Sequence, residues 1–185
     1  MQEIWRISRR RFFGLLSALG LMQAGASVAQ VAGASAQAPA AGFRVLTQPQ
    51  VATLEAISEQ IIPSDRDPGA REAGAVRYID RALAGEQAYR VPHYTAGLMA
   101  IDQTSKAMFG RAFVDLPFDQ QTSVLKAVEQ GKASPEIWKK VSSTEFFTLV
   151  WNHVLEGFYG SPVHGGNKNY VSWKMVGFPE HSGTM

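Results

Sequence analysis

Between Phe146 and Phe158, eight apolar residues (Phe146, Phe147, Leu149, Val150, Trp151, Val154, Leu155 and Phe158) nearly surround a helix. A helix that is greasy on most sides must be buried on most sides, at the centre of its own bundle or under a second protein. The remaining apolar residues also recur at helical steps. Val51, Leu54, Ile57 (or Ser58), Ile61 and Ile62 form a stripe that opens at the capping box Thr47-x-x-Gln50, with Pro49 in the first turn, and stops at Pro63. Val76, Ile79 and Leu83 mark a second helix over 71–84, before Gly85. Leu98, Ile101, Ser105 and Met108 mark a third over 94–109, and Phe118, Val124, Leu125 and Val128 a fourth over 117–129. Ser134-Pro135-Glu136 places proline at a first helical position and predicts the start of the fifth. No stretch alternates apolar and polar residues over a useful strand length. The fold is therefore predicted to be all-α, a single small bundle of about five helices. From Gly157 to Pro179 the chain turns rich in Gly, Asn and aromatics without a sustained period. That predicts an irregular tail, folded back over the bundle or lying against a partner.

Ahead of the bundle the sequence has another character. Arg6, Arg9, Arg10 and Arg11 make a positive start, Phe12 to Leu21 an apolar run, and Ala24 to Ala41 a tract of small residues. The apolar run falls well short of the roughly 20 residues that span a bilayer. Sites of the Ala-x-Ala type end at Ala29 and Ala36. This is the anatomy of an export signal. The arginine pair Arg9-Arg10, preceded by Ser8 and trailed by Phe12 and Phe13, favours the twin-arginine kind over a general secretory signal. That route carries folded proteins through the twin-arginine translocase. The expected organisation is a signal over 1–36, cleaved after 29 or 36, a linker over 37–45 and the folded domain over 46–185, working in the periplasm.

Charge divides the same way. The chain has 18 Lys+Arg and 16 Asp+Glu, of which four arginines and Glu3 lie in the first 36 residues. The rest of the chain holds 14 basic and 15 acidic side chains, a net charge of −1. The basic balance belongs to the targeting segment, and nucleic-acid binding has no electrostatic footprint beyond it. The chain has no cysteine, so neither disulfides nor thiolate-held clusters nor C-x-x-C-H haem attachment can support this domain.

Catalytic patterns are sparse. Neither a G-x-G-x-x-G turn nor a Walker loop offers a phosphate cradle. Asp65-x-Asp67 opens like a calcium loop, but Pro68 comes next and no acid stands at the twelfth position, so a solvated turn is expected. His93, His153, His164 and His181 are scattered. His153 and Glu156 share a helix face, which suits half a metal site, yet a hydrogen-bonded core histidine is the better account. Ser142-Ser143-Thr144 and Ser161 have no base beside them in sequence. The backbone of His164-Gly165-Gly166-Asn167-Lys168 could cradle an anion, although a tight turn accounts for its glycines as well. No catalytic, cofactor-binding or metal-binding residue is assigned.

Several blocks together carry a resemblance. They are Ile61-Ile62-Pro63-Ser64-Asp65, Pro68-Gly69-Ala70, Ala73-Gly74, Glu156-Gly157-Phe158-Tyr159-Gly160-Ser161-Pro162, Gly165-Gly166-Asn167 and Val176-Gly177-Phe178-Pro179. In them, from about Leu46 to Pro179, the chain resembles the gluconate 2-dehydrogenase subunit 3 family. It departs from the pattern at His164, where an aromatic is expected, and at Ser172, where glycine is expected. The resemblance implies the small, or gamma, subunit of a complex at the outer face of the inner membrane. There a large FAD-containing subunit oxidises a sugar acid or alcohol, and a multihaem cytochrome c passes the electrons on. It also makes sense of a folded-export signal on a domain with no cofactor motif, since FAD binds a folded chain before transport. The expected role is to escort and stabilise the flavin subunit, with Phe158, Tyr159, Tyr170, Trp173 and Phe178 as anchors on a face shared with the exposed part of the fifth helix. A maturation factor that leaves after export, or an independent periplasmic enzyme, are the alternatives.

Overall fold

The computed structural model describes residues 37–178. Ser8, Arg9, Arg10, Phe12 and Phe13 of the signal, both cleavage positions, Pro179 and His181 lie outside them. From residue 38 onward the described chain forms one unit of six α-helices. There is no β-strand among the described residues, only an isolated bridge between Pro39 and Thr47.

Helix α1 (Gln48–Ile61) starts at the predicted box: Gln50 Oε1 accepts from the Thr47 N–H at 2.9 Å and from its hydroxyl at 3.1 Å. Helix α2 (Ala75–Leu83) is shorter than expected, because residues 71–74 form a turn. The loop before it is closed by two carboxylates. Glu59 accepts from the Ser64 N–H at 2.8 Å, and Glu72 accepts from the Ser64 hydroxyl at 2.6 Å and the Gly69 N–H at 3.0 Å. The Ser64 hydrogen bond is the main reason the Glu72 carboxyl titrates below its ordinary value. Asp65 accepts from the Asp67 N–H at 3.0 Å, the local turn expected there.

Helix α3 (Val91–Phe109) begins three residues earlier than its apolar stripe, with Pro92 in the first turn, where no donor is missed. It stops at Gly110. Helix α4 (Phe118–Glu129) comes after Pro117. Helix α5 (Ser143–Tyr159) does not start at Ser134-Pro135, as expected, but nine residues later. Trp138 accounts for the delay: its ring is buried and its Nε1–H donates to Thr104 Oγ1 at 3.0 Å, which holds the chain in turns across α3. Ser142 then caps α5, accepting from the Glu145 N–H, and Glu145 places a negative charge on the positive helix end.

The greasy helix is the hub of its own bundle, packing against α1, α2, α3, α4 and α6 (Val171–Val176). It is not buried all round, since Glu145, Thr148, Asn152 and Glu156 leave one polar stripe exposed. Opposite them Phe146, Val150, Val154 and Phe158 join Leu54, Ile57, Ile79, Leu83, Ile101, Phe113 and Leu125 in the core. The α3–α5 crossing depends on Gly97, because a Cβ there would overlap the Phe146 ring.

Residues 38–46, expected to be mostly linker, are bound to the bundle. The buried Asp80 carboxylate on α2 accepts from the N–H groups of Arg44 (2.7 Å), Val45 (2.9 Å) and Leu46 (3.0 Å). The side chains of Ala40 and Leu46 are themselves buried. Hydrogen bonds to a charged acceptor are worth about 1.5–3 kcal/mol each. Asp80→Asn keeps the shape but loses the charge, and should lower unfolding stability by about 2 kcal/mol. Hydrogen exchange should show the Arg44, Val45 and Leu46 amides opening well before α2.

Candidate functional site

Where α5 ends, the backbone makes its closest approaches. A Cβ on Gly157 would stand 2.9 Å from both Cα and O of Ala75 at the start of α2, and a Cβ on Gly166 would overlap the Gly157 carbonyl oxygen. Only glycine at both positions lets the loop 161–170 lie against the α5–α2 junction. Asn167, fully buried, then closes a clasp. Its N–H donates to Gly157 O at 2.8 Å and its Nδ2 to Gly160 O at 3.0 Å, while its Oδ1 accepts from the Ser172 N–H at 3.0 Å. Lys168 N–H donates to Ala73 O at 2.9 Å. Blocks far apart in the sequence thus meet in space. Asn167, Asn169 and Tyr170 have φ of +43°, +58° and +58°, left-handed positions that the surrounding bonds must hold in place. The backbone of Gly165 to Lys168 is not free to cradle an anion. Gly165, Asn167 and Lys168 each donate their N–H to a carbonyl of the chain itself.

The clasp turns the chain into the short helix α6, where an irregular tail was expected; six residues are too few to show a period. Trp173 Nε1–H donates to Tyr159 O at 2.8 Å and ties α6 to the end of α5. Tyr170, Trp173 and Phe178 form a run of rings, with centroids 5.6 Å and 4.9 Å apart. Of the five expected anchors, Tyr159 and Phe178 are exposed and Tyr170 and Trp173 half-buried. Phe158 corrects the expectation. It has no exposed surface and serves as core, with the Tyr159 ring edge-on to it at 4.7 Å. Val163 (74 % exposed) and Val176 (58 %) add an aliphatic part to this surface. The sequence marked neither as exposed, Val176 only as part of a family block, since a lone valine carries no sign of its exposure.

A second polar cluster runs from inside the bundle out to its surface. Tyr94 Oη on α3 and His153 Nδ1 on α5 share a hydrogen bond of 2.8 Å, with their rings stacked at 5.9 Å. Tyr78 on α2 meets the His153 ring edge-on, and its hydroxyl donates to Glu156 Oε2 at 2.7 Å. Burial pushes the Tyr94 hydroxyl well above its ordinary range and the His153 ring below its own. Burial and then the Glu156 hydrogen bond push Tyr78 up to about 12. His153 is thus the hydrogen-bonded core histidine expected from its place on α5. Among the described residues, no three of His, Asp and Glu come together as a metal site.

These features define a small all-α unit with one end built of exposed aromatic and aliphatic side chains. The chain belongs to the gluconate 2-dehydrogenase subunit 3 family, whose model matches residues 48–179. The family's name makes its members parts of a dehydrogenase of several subunits. No curated protein and no solved structure matches the chain.

Two kinds of substitution probe this geometry. Asn167→Ala leaves Gly160 O and the Ser172 N–H without partners and replaces a residue that tolerates φ +43° with one that tolerates it less, and should cost about 2–4 kcal/mol. Asn167→Gly relieves the backbone but not the lost bonds, and should fall between Ala and the parent in chemical denaturation. His153 sets the acid side. Its folded pKa is depressed, so the unfolded chain binds more protons below about pH 6.5, and stability present above that value declines as pH falls toward the folded pKa. His153→Gln should flatten this part of the stability–pH curve.

Proposed function

We propose that this chain is the non-catalytic small subunit of a periplasmic, membrane-associated dehydrogenase complex, and that it carries the export signal for an FAD-containing large subunit. The large subunit oxidises a sugar acid or alcohol, and a multihaem cytochrome c takes the electrons. This chain's own task is to dock, stabilise and escort. The observation that carries the reading is the exposed end described above, in a chain of this family. Tyr159, Val163, Val176 and Phe178 offer apolar surface on a rigid mount, because the Asn167 clasp and the Trp173–Tyr159 bond fix the segment that bears them. Aromatic anchors on a preorganised scaffold give contact area at low entropic cost. The pair Arg9-Arg10 and the residues around it supply the passage outward.

Two measurements test this. Arg9→Lys with Arg10→Lys should empty the periplasm of the flavin subunit while leaving it folded and flavin-loaded in the cytoplasm; export at the parental level would refute the escort role. Tyr159→Ala and Phe178→Ala should each weaken the purified complex by about 1–2 kcal/mol without changing the isolated chain's helicity.

A further inference from the structure

Beside the apolar end lies a cationic face. Helix α2 buries Val76, Ile79, Asp80 and Leu83 and turns Arg77 and Arg81 outward, one helical turn apart. Both guanidinium groups are held in place. Arg77 lies over the Phe43 ring at 5.1 Å from its centroid and donates from Nη1 to Gly42 O at 3.2 Å. Arg81 crosses Gly165, where a Cβ would strike its side chain, and donates from Nη1 to Val163 O at 3.4 Å. Each therefore commits one of five N–H donors to the chain and keeps the rest of its fork for something else. The exposed Lys168 adds a third charge, since its N–H on Ala73 O sets it next to the start of α2.

The carboxylates nearest this face among the described residues are already engaged elsewhere. Asp80 is buried and occupied by three amides, Glu72 by Ser64 and Gly69, and Glu156 by Tyr78. Among the described residues no carboxylate comes within ion-pair distance of Arg77, Arg81 or Lys168; the ion pairs Lys106–Asp102 and Lys139–Glu136 lie elsewhere. The folded part of the chain has no excess of basic residues, so this is local segregation and not a general positive charge.

We infer that the flavin subunit meets this face with an acidic surface, its Asp or Glu carboxylates accepting forked hydrogen bonds from Arg77 and Arg81. The inference rests on the docking role proposed above. Continuity supports it, because Arg81 is held by the carbonyl of Val163, the side chain of which is among the most exposed apolar groups of the docking end. The chemistry supports it too. Arginines immobilised before binding suit directional carboxylate pairing, and arginine is enriched at protein interfaces, where lysine is depleted.

The test uses the full chain with its flavin subunit. The dissociation constant of the wild-type pair should rise about tenfold between about 0.05 M and about 0.5 M NaCl. Arg77→Gln with Arg81→Gln should raise it about tenfold at the lower salt and remove most of the salt dependence. The salt series on the unaltered chain keeps the inference testable if the double variant folds poorly. A tight complex indifferent to both salt and substitution overturns the acidic-surface inference and leaves the docking role standing. Absence of any complex at every salt concentration removes the docking role and this inference with it. Binding to phosphatidylglycerol vesicles that the double variant loses, with flavin-subunit affinity unchanged, assigns the face to a membrane and overturns the inference as well.

Discussion

Everything in this bundle is arranged about α5, and α5 is held by backbone contacts that tolerate no side chain. Near its start, Phe146 lies where Gly97 leaves a gap on α3. Near its end, Gly157 admits the first residue of α2 on one side and Gly166 on the other. Close packing at both ends fixes the helix in rotation and in translation, because slipping by one residue would drive a Cβ into a neighbour's backbone or ring. The core side chains of the other helices then have a single surface to fit.

The two ends do different work. At the Phe146 end the neighbours are core residues, with Trp138 and Tyr94 packed against the same ring, and the result is burial. At the Gly157 end the neighbours are loops, and the result is presentation. The backbone there is bound so tightly to the bundle that several side chains of α6 and of the turn before it are left pointing outward. One contact type, a glycine against a neighbouring element, thus closes the core at one end and builds an exposed surface at the other.

The hub is legible in the sequence because eight apolar residues in one stretch leave a helix no other place. Its polar stripe is written at the same period, in Glu145, Thr148, Asn152 and Glu156. The capping box is legible because both partners lie within one turn. The hidden features depend on groups far apart in the chain. Asp80 looks like an interruption of the Val76–Ile79–Leu83 stripe, and nothing near it announces that three amides some 35 residues earlier need its charge. The false helix start at Ser134-Pro135 has correct local chemistry and is overruled by Trp138 reaching Thr104. Phe158 and Tyr159 are adjacent aromatics of opposite fate, decided by which side of α5 each occupies and not by residue type. The family blocks are recognisable as blocks, but that Ala73, Gly157 and Gly166-Asn167 form one junction is visible only in three dimensions.

The Asp80 attachment has a mechanical side. Ala40 and Leu46 are both buried, so residues 40–46 have little slack against the bundle. A pull on residues 38–42 would load the Ala40 N–H bond to Leu46 O and the Arg77 link to Gly42, and behind them the three amide–carboxylate bonds. Bonds that share a load must rupture together, whereas bonds loaded singly peel one after another. A carboxylate serving three successive amides therefore makes a strain-relief anchor for residues 44–46, so that a pull on them is borne by three bonds before it reaches the core.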